Sequence, residues 1–129
     1  MKAAKRVIVI DPATRTITES TVRCLEDMQQ IVGGYIERAL ITDDGTNHEL
    51  YVNEEGLFEE ELHPFTFVGS RQPILVGRAF LIGPVDRFGE NQAATLSIQE
   101  VAAMVGFPEM IPLDNPSMAD APDSSWSDE

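Results

Sequence analysis

Apolar residues along the chain follow two rhythms, and the switches between them mark out the elements. Val7-Ile8-Val9-Ile10 is an unbroken β-branched run closed by Asp11-Pro12, which predicts a buried strand and then a turn. Arg15 to Val22, with its spaced threonines, reads as a second strand and the hairpin partner of the first. Between Cys24 and Val32 the period lengthens: Leu25, Met28, Ile31 and Val32 fall on one face of a short helix. Gly33-Gly34 stops that helix, because glycine takes the left-handed conformation that a β-carbon disfavours. A helix this short needs a sheet to pack against.

Alternation resumes in Tyr35 to Ile41 and Glu49 to Val52, two strands joined by the turn-forming stretch Thr42 to Asn47. The segment after Gly56, with Glu59-Glu60-Glu61 and then Leu62-His63-Pro64-Phe65, reads as a loop or one irregular turn. Ile74 to Ile82 reads as one apolar strand, central in its sheet, with Gly77 in the middle and Gly83-Pro84 as terminator. Residues 85–94 read as a loop. Leu96 to Val101 then carries a helix start: Ser97 and Glu100 form a capping box, and Leu96 and Val101 stand at the positions of a hydrophobic staple. Ile98, Val101, Ala102 and Val105 make its predicted buried face, with Gly106 as its end. The expected fold is a single α+β domain over residues 1–107. It has a mostly antiparallel sheet of about five strands, one short early helix and one capped late helix.

Composition adds a strong charge bias. Nine basic residues face 22 acidic ones, for a formal charge of −13 over 129 residues. Such a field repels phosphate backbones and anionic membranes and favours basic partners, so direct nucleic-acid binding is not expected. Residues 108–129 hold four prolines, six acids and no basic residue, a composition that predicts a disordered tail with the isolated Trp126 as a candidate contact. A single cysteine, Cys24, forms no internal disulfide, and with His48 and His63 it does not make a zinc set. The N-terminal apolar run is shorter than a signal core or a membrane span, so a cytoplasmic setting is expected.

Three phrases are more distinctive than the rest: Ile31 to Glu37 with its Gly-Gly-Tyr-Ile-Glu, Val52 to Leu57, and Val76 to Gly83. Together with the Leu96 to Glu100 helix start, they resemble a family of small proteins from phages, plasmids and their bacterial hosts, domain of unknown function family 3846. The resemblance spans roughly residues 5–105 and implies a mobile-element setting without implying an activity. The family pattern places an asparagine after a proline where this chain has Pro64-Phe65-Thr66-Phe67, so a site using that asparagine would be altered here. Ser97 to Gly106 is also similar to the first helix and turn of a helix-turn-helix reader. The acidic, proline-broken sequence that follows supplies no recognition helix.

The chemistry-bearing residues do not assemble into a catalytic or metal constellation. Glu54-Glu55 and Glu59-Glu60-Glu61 are read as a solvated acidic loop, since adjacent strand residues face opposite ways. Asp43-Asp44-Gly45 lacks the ligand spacing of a calcium loop and reads as a turn. His48 and His63 are read as surface or hairpin residues, and Cys24 as buried or inert. The sharper candidates are Tyr35, Glu37, Asn53 and Glu54, expected together on one face of the sheet as a partner or ligand surface. Arg71 and Arg78 are candidate anion ligands, because a guanidinium offers paired donors. The leading expectation is a non-enzymatic binding protein, needing no cofactor, that contacts a host or phage protein through its acidity. The alternative is a small-ligand binder that captures an anionic metabolite or nucleotide.

Overall fold

The computed structural model describes residues 3–56 and 62–108. The glutamate run 59–61 and the tail from 109 onward, Trp126 included, lie outside the described residues. Strand β1 (Lys5–Asp11) pairs antiparallel with β2 (Thr16–Val22) along its whole length, from Lys5 opposite Val22 to Asp11 opposite Thr16. Helix α1 (Leu25–Val32) follows and ends on Gly33 in the left-handed conformation, whose N–H donates to the Gln29 carbonyl at 2.8 Å. Strands β3 (Ile36–Ile41) and β4 (Glu49–Asn53) form the second hairpin, with a bulge between Arg38 and Leu40. Thr42 to Thr46 close it as a turn, in which the Asp44 carboxylate accepts from the Thr46 backbone N–H and hydroxyl.

The predicted strand over 74–82 is in fact two. Gly77, at φ +85°, breaks it into β6 (Leu75–Val76) and β7 (Ala79–Ile82), which belong to different sheets. A β-carbon there would be held in the strained left-handed region, so the apolar run changes layer where its glycine stands. All four residues of β7 are buried, and β7 is the middle strand of a five-stranded antiparallel sheet ordered β2-β1-β7-β4-β3. The expected central position therefore holds for its second half.

Two further expectations give way to tertiary packing. Pro64–Phe67 is a strand, β5, although the proline and the preceding acids argued for a loop. Proline is tolerated as its first residue, where a missing ladder N–H costs little, and Phe65 and Phe67 are buried while Pro64 and Thr66 are half-buried. Helix α2 (Ile98–Ala102) has the expected capping box but stops after five residues. Val105–Gly106 leave it as β8, which pairs with Thr66 and Phe67. These pieces make a second sheet of three short strands ordered β6-β5-β8.

The molecule is layered. On one face of the central sheet Val7, Val9, Phe80 and Ile82 meet Val32, Met28 and Ile31 of α1. On the other face Ile8, Ile10, Leu50 and Leu81 meet Phe65, Phe67, Leu75 and Val101 from the small sheet and α2. The alternation of β1, with Val7 and Val9 to one side and Ile8 and Ile10 to the other, explains why its run is apolar throughout: it is covered twice. Leu25, expected on the buried face of α1, is 55% exposed, and the neighbouring Cys24 is exposed rather than buried. Both lie at the helix start, where they line a small opening with Val22, Met28 and Ile82.

Candidate functional site

The three distinctive phrases converge at one end of the central sheet. The C-terminal carbonyls of α1 are held there by two side chains from distant segments. Asn53 Nδ2 donates to the Val32 carbonyl at 3.3 Å, and Arg78 Nε donates to the Ile31 carbonyl. Asn53 Oδ1 accepts from the Glu55 N–H at 2.8 Å, and the Glu54 N–H donates to the Tyr35 carbonyl at 2.8 Å. Gly34 must be glycine for a separate reason: a β-carbon there would stand 2.9 Å from Asn53 Oδ1. The junction is thus a clamp that fixes the helix end, the end of β4 and the start of β7 together.

Register corrects the expectation that Tyr35, Glu37 and Asn53 share a face. Asn53 pairs with Ile36, whereas Glu37 pairs with Val52, so Asn53 faces α1 and Glu37 faces the small sheet. Asn53 is buried as a structural residue, while Tyr35 is 67% exposed. Strand β4 ends at Asn53, so Glu54 and Glu55 stand in a turn and not on alternate faces of a strand.

Beside this clamp, where the edge of the central sheet stands over the edge of the small one, lies a groove of about 440 Å³. Glu37 comes from β3, Val52, Asn53 and Glu54 from the end of β4, and Pro73, Ile74 and Leu75 from the approach to and start of β6. Val52 and Leu75 are buried core residues whose edges reach the groove, and Ile74 is half exposed. The groove therefore has an apolar floor, a prolongation of the core, and carboxylates on its rim. Tyr35 flanks it without lining it. Arg78 lines two other openings, on the α1 side of the sheet, and Arg71 lies on the loop between β5 and β6 and lines none of these.

Buried polar residues tie down the second hairpin. His48, read as a surface or hairpin residue, lies between β3 and β4 and is fully buried. Its Nε2 accepts from the Thr95 N–H at 3.0 Å, which places the proton on Nδ1, bonded to Thr46 Oγ1 at 2.8 Å. Thr46 Oγ1 in turn donates to Asp44 Oδ1 at 2.6 Å. Burial pushes the His48 pKa below its ordinary value, and the Thr46 hydroxyl holds the Asp44 carboxyl low. The stretch Thr42 to His48 carries no large apolar residue, so no periodicity in it marked His48 as buried. Glu49 is also buried: its Oε1 accepts from Tyr51 Oη at 2.8 Å and from Asn91 Nδ2 at 2.9 Å, while Arg38 lies 3.3 Å from Oε2. Burial, then the bond to Glu49, push the Tyr51 hydroxyl up to about 12.

Both buried clusters tie down the second hairpin, and Asn91 of the Glu49 cluster also lines a small opening beside Lys5 and Met28. Among the described residues no group of three or more His, Cys, Asp or Glu is placed to hold a metal ion, and no helix is long and apolar enough to cross a membrane. Fold and grooves together define a small layered α+β domain. Residues 4–106 match the family described as Domain of unknown function (DUF3846), and the chain belongs to that family. No curated protein and no solved structure matches it.

Proposed function

We propose that this chain is a non-enzymatic binding protein of a phage or other mobile element that docks on a basic segment of a host protein in the bacterial cytoplasm. The observation that carries the reading is the groove at the sheet edges, with Val52, Leu75 and Ile74 below and Glu37 and Glu54 at the rim. A lysine or arginine lays its aliphatic stem on such a floor and keeps its charge beside the carboxylates. The formal charge of −13 supports the same partner chemistry, because it speeds encounter with a basic surface. The mobile-element setting is supported by the resemblance of the middle phrases to proteins of phages and plasmids.

The test is a titration of the full chain with a short peptide of alternating lysine and leucine, followed by NMR. Saturable shifts confined to Glu37, Glu54 and the Gln72–Leu75 segment are expected, weakening as salt rises. The double variant Glu37→Lys, Glu54→Lys should lose them with its fold intact. Equal shifts in the variant, or shifts spread evenly over all acidic residues, would overturn the reading. Co-purification from the native host should then recover a partner with the wild-type chain that the same variant fails to hold.

A further inference from the structure

We infer that the open half of the α1 face is a second site, which takes a small phosphorylated, hydroxyl-bearing metabolite between Arg23 and Arg78. The eight residues of α1 are too few to cover a five-stranded sheet, and beside the helix the surface sinks into a trough of about 490 Å³. Its floor is the α1-facing side of β1 and β2, where Thr18 and Ser20 alternate onto the same side as Val9. Its wall is the flank of α1, Asp27 and Gln30, at helical spacing. An arginine lines it from each of two distant segments, Arg23 before α1 and Arg78 before β7.

The trough is less acidic than the chain as a whole: two guanidinium groups, Arg23 and Arg78, line it together with two carboxylates, Glu19 and Asp27. Asp27 Oδ2 accepts from the Arg23 backbone N–H at 2.8 Å. Glu19 also lines the trough, but its carboxylate, on a residue opposite Ile8, is paired with Arg6. Arg78 is set in place by its Nε bond to the Ile31 carbonyl, with its Nη1 4.0 Å from Asp11. The Arg23 guanidinium makes no ion pair among the described residues, and the Thr18 and Ser20 hydroxyls and the Gln30 amide make no hydrogen bond to other described residues.

Paired guanidinium donors match a phosphate, and a row of hydroxyls with an amide matches a polyol. Only Val9 and Ile31 are apolar among the lining side chains, so the trough suits a polar ligand and offers little to an aromatic one. It is a place for a sugar phosphate or the ribose phosphate end of a mononucleotide, separate from the acidic groove and independent of the reading given for it.

The experiment is NMR and calorimetric titration of the full chain with ribose 5-phosphate, AMP, inorganic phosphate and neutral ribose. Ribose 5-phosphate is expected to give saturable shifts at Thr18, Ser20, Gln30 and the Arg23 side chain. Binding should be weaker for inorganic phosphate and absent for ribose. AMP shifting the trough no more tightly than ribose 5-phosphate would show that the phosphate and sugar carry recognition. Arg23→Gln removes a charged donor without touching the core and should weaken binding about tenfold, whereas Arg71→Gln should leave it unchanged. Thr18→Val tests the hydroxyl row on the same protein fold. Shifts reproduced by an equal ionic strength of sodium chloride, or undiminished in Arg23→Gln, would overturn the proposal.

Discussion

The two faces of the central sheet are covered to different depths. On one, the small sheet, α2 and the segment at Ala94 to Leu96 close over Ile8, Ile10, Leu50 and Leu81, with Phe65 and Phe67 as the largest contributions from outside the sheet. On the other, a single short helix packs against Val7, Val9, Phe80 and Ile82 and leaves the β2 edge open. The thick face supplies most of the apolar burial that holds the fold. The thin face, and the seam where the two sheets part, carry the concave surface. Dense packing and open surface are thus divided between regions of one molecule, and each can be disturbed with little effect on the other.

The most direct way to break the thick face is Phe65→Ala. Phe65 is fully buried, and its loss should cost about 3–5 kcal/mol, a large share of what a domain of this size possesses. Urea denaturation measures it, and a cost below that of Met28→Ala on the thin face would invert the comparison. Next in size is His48→Ala, which empties a fully buried site and takes the acceptor from the Thr95 N–H, and should cost about 2–3 kcal/mol. Gly77→Ala should cost about 1–2 kcal/mol, because the residue sits at φ +85° at the point where the chain passes between layers. Ser97→Ala should cost about 1 kcal/mol through loss of the cap on α2. At the lower end, Leu25→Ala at the exposed start of α1 should change stability by no more than about 0.5 kcal/mol.

The pH dependence sharpens the same comparison. His48 has a folded-state pKa below its ordinary value of 6.5, so the unfolded chain takes up the proton first as pH falls. Its contribution is complete above about 6.5 and is lost as pH drops from there through the lower folded value. The urea midpoint should therefore decline on mild acidification, before the carboxylates titrate. In His48→Gln that early decline should vanish, while the later one, to which Asp44 contributes, should persist. An unchanged early decline in the variant would remove His48 as its cause.

Local pattern carried much of the fold. The β-branched run of β1, the helix stop at Gly33 and the Ser97–Glu100 capping box are decided within a few residues, and each stands where the sequence placed it. The candidate site was only partly readable. Glu37, Asn53 and Glu54 do come together, but Asn53 turns inward to hold the helix end, and that depends on which residue of β3 it faces. A shift of one position would have put it beside Glu37, and no property of either strand alone distinguishes the two registers. His48 does lie in the hairpin, one of the two places read for it, but its full burial depends on distant packing, with Thr95 far along the chain donating to its Nε2.

The sequence by itself determined an acidic α+β domain, its two hairpins, its early helix and the apolar strand at the middle of its main sheet. Those features rest on periodicity, turn residues and charge, which act over short range or over the whole surface. Only the tertiary structure decided that the 74–82 run divides between two sheets, that Pro64–Phe67 and Val105–Gly106 become strands, and that a groove opens between the layers. Segments so short form strands only when a distant partner completes their hydrogen bonds and their packing, and that partner is set by the assembled fold.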